Sequence, residues 1–590
     1  MTKTRLAAAL SLALMVAPIS QAAKYRIVEL PVADEGRNNF PSAINEDGDI
    51  TVNVKSPYNV PIDLDLIDFE SENLMSVLTD IESARNGNFN STDYEILLAF
   101  IGSVAGSQFT QQIANTISFL AAENETSYIS GFDPWSEQDN KFYNSTTTVV
   151  KDINDSGFAV GSGEGSYNKV DYTFKLPPPT TEDEVTVEVE ATFVVKEFGT
   201  KGFVSHGNTI IDLPAPSLIA GGFSEANGIN ESNQVVGSGT TLFLSDTLQT
   251  AITNCASEDI VDDENEATVD YLPLRGNVPV ESCISKVVSL LTNSVSTYAQ
   301  LRGLIWQLDD QGNLLDTTVL GLLHEPEEDD TLKYSSQAVA INDNGIAVGN
   351  SNIPHTLGTQ TFLQNYAVIF HNGAVINITP EPDSDVQRTS RIISSAKDIN
   401  NNNLVTGTQV KRVNGVNRSK FFVYDMNLSE LTLPTDFFLG SESVALDINN
   451  NGLVVGYGEI DASLTGRRTE GFLYDHTAKQ FNGLSELISC DSPYKIVQAN
   501  AINDKDEIAA TALYRGPSRD SRGEVVLDST GSEVIVDLVT TVKLVPIVGG
   551  EIESCEVIDD INRERQGGSL TWIIGLSLLL LGWRRSKNTF

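Results

Sequence analysis

Ala445-Leu446-Asp447-Ile448-Asn449-Asn450-Asn451-Gly452-Leu453-Val454-Val455-Gly456 is the stretch whose reading decides the fold, because variants of it recur six more times along the chain. Aligned on the Ile-Asn pair, the copies stand at Ile44-Asn45, Ile153-Asn154, Ile229-Asn230, Ile341-Asn342, Ile399-Asn400, Ile448-Asn449 and Ile502-Asn503. Most carry alanine three places before the Ile (Ala226, Ala338, Ala396, Ala445, Ala499) and end in an apolar run closed by glycine, as in Gln234-Val235-Val236-Gly237. Asn, Asp and Gly between two β-branched runs read as strand, tight turn, strand, since these residues accept the backbone angles of a hairpin turn while Val and Ile fill a pleated, buried surface. The turn residues are therefore Asn45, Asn154, Asn230, Asn342, Asn400, Asn449 and Asn503.

A second signature follows in several copies: Gly303-Leu304-Ile305-Trp306, Ala367-Val368-Ile369-Phe370, Phe421-Phe422-Val423-Tyr424 and Gly471-Phe472-Leu473-Tyr474, each leading through a polar turn to another short apolar run. That makes about four strands per unit. The last four copies are spaced 58, 49 and 54 residues apart and the earlier ones 109, 76 and 112, so the long gaps hold insertions. Four short strands recurring with a period of roughly 40 to 50 residues mark the blades of a propeller. The fold expected is all-β, a β-propeller of about seven four-stranded blades with helical and hairpin insertions; the first copy is degenerate after its turn, which leaves six or eight blades open.

These residues resemble the extracellular HAF-type repeat, with its Ala-x-x-Ile-Asn-x-x-Gly-x-Val-Val-Gly core and accompanying Phe-Leu-Tyr/Trp strand. The whole chain looks like an uncharacterised family of exported Gram-negative bacterial proteins defined by a domain of unknown function. The resemblance implies fold and export and brings no catalytic residues with it.

Lys plus Arg number 38 against 80 Asp plus Glu, a formal net charge of −42. Such a surface repels phosphate backbones, so nucleic acid is disfavoured as a partner. The four cysteines, Cys255, Cys283, Cys490 and Cys555, form no Cys-x-x-Cys pair. In an exported chain disulfides are expected, Cys255 with Cys283 and Cys490 with Cys555, although four cysteines permit three pairings.

Lys3 and Arg5 precede an apolar run from Leu6 to Ala17 and the small-x-small triplet Ser20-Gln21-Ala22, a secretory signal peptide (1–22) cleaved after Ala22. Residues 23–560 are expected to form the propeller, with insertions at about 60–145, 165–200 and 250–301. Tyr25-Arg26-Ile27-Val28-Glu29-Leu30 alternates, and as a strand it would close the ring and abolish a free sheet edge. Within the insertions, helices are expected over 71–84, 94–122 (opened by a Thr92-x-x-Glu95 capping box) and 284–301, and a hairpin over 170–176 and 185–195. Phe132-Asp133-Pro134-Trp135 suits either packing or an exposed recognition patch.

Residues 561–590 read as a linker and C-terminal sorting segment. Gly567-Gly568-Ser569 leads into an apolar run from Leu570 to Trp583 and then Arg584-Arg585. As a helix that run would extend roughly 21 Å, short of a bilayer core of about 30 Å. It resembles the Gly-Gly C-terminal sorting signal, which implies cutting by a rhomboid-like protease, rhombosortase, near Gly567 and Gly568 and attachment to the membrane through the segment or a lipid. A retained tail anchor is the alternative.

Asp447-x-Asn449-x-Asn451-Gly452 matches the first half of a calcium loop and Asp152-x-Asn154 comes close, but Gly458 and Gly163 stand where the acidic ligand of position twelve belongs. Turn chemistry is the simpler use of these residues, so no cofactor is expected, calcium being the one candidate. No Gly-x-Ser-x-Gly, His-Glu-x-x-His or Gly-Lys phosphate loop is present. The expected function is an exported, surface-anchored or secreted module that binds protein or glycan, handled by Sec-type machinery. The alternatives are a glycosidase-like hydrolase with paired carboxylates and a structural envelope protein.

Overall fold

The computed structural model describes residues 23–31, 35–103, 107–137, 140–176, 187–243, 245–256, 275, 277–327, 330–379, 390–462 and 466–553. The signal peptide with Ala22, the segment carrying Gly567 and Gly568, and Cys555 lie outside them. Among the described residues no helix is long and apolar enough to cross a membrane.

Seven antiparallel four-stranded sheets form the blades of a propeller, six of them with strands A to D in sequence order. Blade 6 is typical: Ser443–Ile448, Leu453–Glu459, Thr469–Asp475 and Gln480–Gly483. The A strands of successive blades touch one another all the way round, so they line the axis. Blade 7 takes its A to C strands from Lys495–Ile502, Ile508–Pro517 and Ile535–Pro546, and its D strand from the start of the described chain. Tyr25–Glu29 pairs with it from Tyr25↔Pro546 to Glu29↔Val542, the expected closure.

The repeated glycine and alanine have a packing cause. In all seven blades the A strand is bulged two places before the Ile, for example between Ala445 and Asp447, and in blade 7 a second bulge lies between Ile496 and Gln498. The bulge pushes a carbonyl of strand A against strand B. At Gly161, Gly237, Gly349, Gly407 and Gly456 an added Cβ would collide with the carbonyl oxygens of Val149, Glu225, Gln337, Ser395 and Val444. The alanines opposite are fully buried, and strand C of the preceding blade approaches them: a Cβ on Gly202, Gly303 or Gly471 would sit 3.0–3.2 Å from the backbone nitrogen of Ala226, Ala338 or Ala499. Small residues here bring adjacent blades into backbone contact, and aromatic residues such as Phe421, Phe472 and Tyr474 fill the wider space beyond. Each such ring contributes about 1.5–3 kcal/mol by leaving water.

Strand B runs away from the Ile-Asn turn, so every B–C connection emerges on the opposite face. There lie the insertions: 58–115 in blade 1, the hairpin Tyr167–Leu176 with Val187–Lys196 in blade 2, the helices Asp246–Ala256 and Val280–Asn293 in blade 3, and 518–534 in blade 7. The Cys255–Cys283 disulfide ties the two blade 3 helices together.

Several sequence expectations need correction. The helix over 94–122 ends at Ser103, and Thr116–Ala121 is strand C of blade 1, paired with both Ile50–Pro57 and Thr126–Ile129. Its helix-compatible composition is overridden by pairing on two sides. Insertion 1 therefore spans 58–115 and not 60–145. The cap of its long helix is Asn90, whose Oδ1 accepts the Asp93 N–H at 2.8 Å, and not the Thr92 box. The helix over 71–84 is two short ones, Glu72–Met75 and Ile81–Arg85, the second capped by Asp80. The helix over 284–301 is Val280–Asn293, and Ala299 already begins strand C of blade 3. Phe132 packs on Phe198 and Phe203 and Asp133 holds the N–H groups of Asn144 and Ser145, so half of that tetrapeptide is built in, while Trp135 stays half exposed against Phe142.

Candidate functional site

The seven Ile-Asn turns converge at one mouth of the axial channel, around a space of about 300 Å³. Each repeat asparagine shapes its own turn, and six of the seven also bind the next blade. Its Oδ1 accepts the N–H four residues on at 2.9–3.0 Å in every copy, which shapes the turn. In those six the Nδ2 reaches the next blade: Asn154, Asn230, Asn342, Asn400, Asn449 and Asn503 donate to the backbone oxygens of Asn230, Asn342, Asn400, Asn449, Asn503 and Asn45. The left-handed conformation expected near these asparagines falls instead at the turn's fourth residue: Gly48, Gly157, Asn233, Gly345, Asn403, Gly452 and Asp506.

The residue after each asparagine builds a second ring that closes completely. The backbone N–H of Glu46, Asp155, Glu231, Asp343, Asn401, Asn450 and Asp504 each donates to the side-chain oxygen of its successor, Asp504 returning to Glu46, at 2.6–3.0 Å. This is why Asp, Glu or Asn stands there: each must accept. Loss of hydration raises the carboxyl pKa of Glu46 and Glu231.

One layer deeper, Asp152, Asp398 and Asp447 hold the Ile229, Ile448 and Ile502 N–H groups of the next blades at 2.9, 3.0 and 2.7 Å. Burial pushes the Asp152 carboxyl up to about 7 and Asp447 well above the usual range, the latter also through Asp398, with which it shares a hydrogen bond. Lys151, Lys397 and Glu225 sit near these groups on the A strands; Lys397 is lowered by burial and then by Lys151. Because the folded-state carboxyl pKa values are raised, the fold binds protons that the unfolded chain has released. Their stabilisation is full below the ordinary carboxyl pKa near 4 and is lost as pH rises through 7. Unfolding by urea is therefore expected to show stability about 2 kcal/mol lower at pH 8 than at pH 5, at up to about 1.4 kcal/mol per pH unit for each such group. Asp447→Asn, which can keep the accepting oxygen, should flatten that slope.

The calcium candidates Asp447, Asn449, Asn451, Asp152 and Asn154 thus fall into two networks. Asn449 and Asn451 turn amide nitrogens toward Asp506, and the carboxylates are occupied by backbone N–H groups. Among the described residues no group of three or more His, Cys, Asp or Glu is arranged to hold a metal ion. Asp398 and Asp447 bring two carboxyl groups together in the channel, but they share a hydrogen bond, closer than the roughly 5 Å or more that a glycosidase pair needs, and both bind the next blade's backbone.

The other concave feature lies on the insertion face. A cleft of about 1520 Å³ opens between the insertions of blades 7, 1, 2 and 3. Its walls are Leu98, Ile101 and Gly102 of the helix Ser91–Ser103, Val194 and Lys196 of the hairpin, the helix Val280–Asn293, and Arg519 to Ser521. Eleven of the lining residues are Ser, Asn or Gln, and Tyr58 is the single aromatic one. Gln111 is fixed by its bonds to the Asp63 N–H and the Pro61 carbonyl, and Ser282 by Gln108, so these polar groups are set in place before any ligand arrives. None of these residues stands in a recurring motif. They come from four separated insertions and meet because blade 7 closes beside blade 1.

The model of a family described as Protein of unknown function (DUF3466) matches residues 3–586. The chain belongs to the DUF3466 family. No curated protein matches this DUF3466 chain in sequence. Among solved structures it is similar to a Mycobacterium tuberculosis puromycin-hydrolyzing peptidase, at 10% identity and a TM-score of 0.25, over 85% of this chain and 61% of that one. The chain thus spans less than two thirds of the peptidase's length, and so distant a likeness carries none of the peptidase's chemistry over.

Proposed function

We propose that the chain is an exported β-propeller that binds a glycan in the cleft of its insertion face and performs no chemistry on it. The observation that carries this reading is the cleft's size and lining. Pockets for single small molecules run to about 300–1,000 Å³, whereas about 1520 Å³ has room for several sugar units. Fixed hydroxyl and amide groups recognise a hydroxyl-rich chain, because each buried sugar hydroxyl must recover the hydrogen bonds it gave to water. A protein ligand that adds a strand is less well served: the Val194 N–H already donates to the Gln108 carbonyl at 2.7 Å and the Lys196 N–H to Ser285 Oγ at 3.0 Å.

The test is an oligosaccharide array probed with the purified protein and with Gly102→Trp. A Cβ at Gly102 meets nothing within 4 Å, so the indole can enter the cleft without disturbing the helix. Binding should fall at least about ten-fold, 1.4 kcal/mol, with unchanged melting; retained binding would remove the cleft from consideration.

Export belongs to the same proposal. The Sec-type machinery would carry the chain out, with the signal peptide cleaved after Ala22, and a rhomboid-like protease would cut near Gly567 and Gly568, leaving the propeller at the cell surface, on a lipid, or released. Mass spectrometry of the protein from its own cells should find a C-terminus near Gly568. Recovery of Phe590 would mean a retained membrane tail.

A further inference from the structure

We infer that the glycan taken by the cleft is acidic, bearing carboxylate or sulfate groups; this rests on the cleft being the glycan site. The chain's formal charge is −42, with 80 acidic residues against 38 basic ones. The cleft reverses that balance: Arg37, Lys196, Lys286 and Arg519 line it against Glu95, Glu164 and Asp520.

What these charges are bound to sharpens the contrast. Lys196 and Glu164 neutralise each other at 3.1 Å. Asp520 turns its Oδ1 to the N–H groups of Arg522 and Glu524, both at 2.9 Å, so part of its charge is held by its own turn. Arg519 donates to the Gly523 carbonyl at 2.7 Å, which fixes its position. Arg37 and Lys286 are exposed and make no ion pair with a described residue, one on blade 1 and the other on the blade 3 helix. Two open cations thus stand on two separate walls of a cleft whose lining also holds hydroxyl and amide groups, apolar side chains and the carboxylate of Glu95.

The acidic remainder of the surface does not forbid an anionic ligand. Charges beyond a Debye length of about 8 Å at physiological ionic strength are largely screened, so the cleft's own side chains decide what enters. The distant field acts instead as a filter. A long, densely charged polymer such as a nucleic acid spreads its phosphates beyond the cleft into the acidic surface, whereas a glycan with spaced acidic groups can set them at Arg37 and Lys286 and present hydroxyls between.

The experiment compares uronate oligosaccharides with their carboxyl-reduced, neutral twins, using the purified protein, Lys286→Glu and Arg37→Glu, at low and high salt. Both substitutions are on exposed side chains, and melting curves confirm folding. The acidic members should bind at least about ten-fold more tightly than their twins, lose about ten-fold with each charge reversal, and weaken with salt. Equal binding of acidic and neutral twins would overturn the inference and leave the cleft reading standing. Acidic preference unaffected by both reversals would also overturn it, since the charges responsible would lie elsewhere. Retention of acidic peptides in place of glycans, or of nothing on the array, would overturn the glycan reading itself.

Discussion

Replacing Gly456 with alanine is expected to lower the unfolding free energy by about 3–4 kcal/mol, measured by urea denaturation. The new methyl group would run into the Val444 carbonyl and lie 2.9 Å from the Ala445 Cα, and both are backbone atoms that no side-chain rotation can remove. The strand pair must spread, and the spread reaches blade 5, because strand A of blade 6 packs against it. The equivalent places in blades 1 and 7 hold Val52 and Ala510, which shows what a tolerant site requires. Blade 7 has its second bulge, and blade 1 sets Pro41, without an N–H to give, opposite Val52. Blade 6 has neither. Gly102→Ala is the control: it meets open space at a helix end, and a gain of up to about 1 kcal/mol is expected.

Asn449→Ala should cost about 3 kcal/mol. Its Oδ1 accepts the Asn451 and Leu453 N–H groups at 3.1 and 3.0 Å, and its Nδ2 donates to the Asn503 carbonyl at 2.9 Å and Asp506 at 2.8 Å. The side chain is 4% exposed, so water does not readily replace these partners, and each orphaned group costs about 1–3 kcal/mol. Asn449→Asp discriminates the two roles. It keeps the accepting oxygen that shapes the turn but turns a carboxylate toward a carbonyl and the Asp506 carboxylate. If the link to blade 7 matters as much as the turn, Asn449→Asp will be as unstable as Asn449→Ala at pH 8 and partly recover at pH 5. Stability equal to the parent protein in both variants would show that the ring is ornamental.

The repeat was legible because its physics is local. Asn before a tight turn, β-branched residues on either side and a closing glycine recur with enough regularity to give the strands, a count of about seven blades and, through Tyr25–Glu29, the closure. The insertions were less legible for an equally specific reason. Thr116–Ala121 and Ala299–Leu301 have compositions that suit a helix or a strand, and only pairing within a blade selects the strand, on two sides for the first and against Thr240 to Phe243 for the second. The interblade duties of Asn154 and Asn449 were hidden as well: a turn asparagine looks the same in sequence whether its amide meets water or the neighbouring blade.

From residue order alone came the repeated hairpin and a four-stranded blade unit used about seven times, because short-range backbone preferences and the period of apolar residues specify them. The three-dimensional fold alone decided that the Asp, Glu and Asn residues after the Ile-Asn pairs form a closed ring of acceptors, that Asp398 and Asp447 share a hydrogen bond while stapling successive blades, and that Arg37 and Lys286, 249 residues apart in number, line one cleft. Those relations depend on closing a ring, which brings residues from opposite ends of the chain together, and no local pattern records which ones will meet.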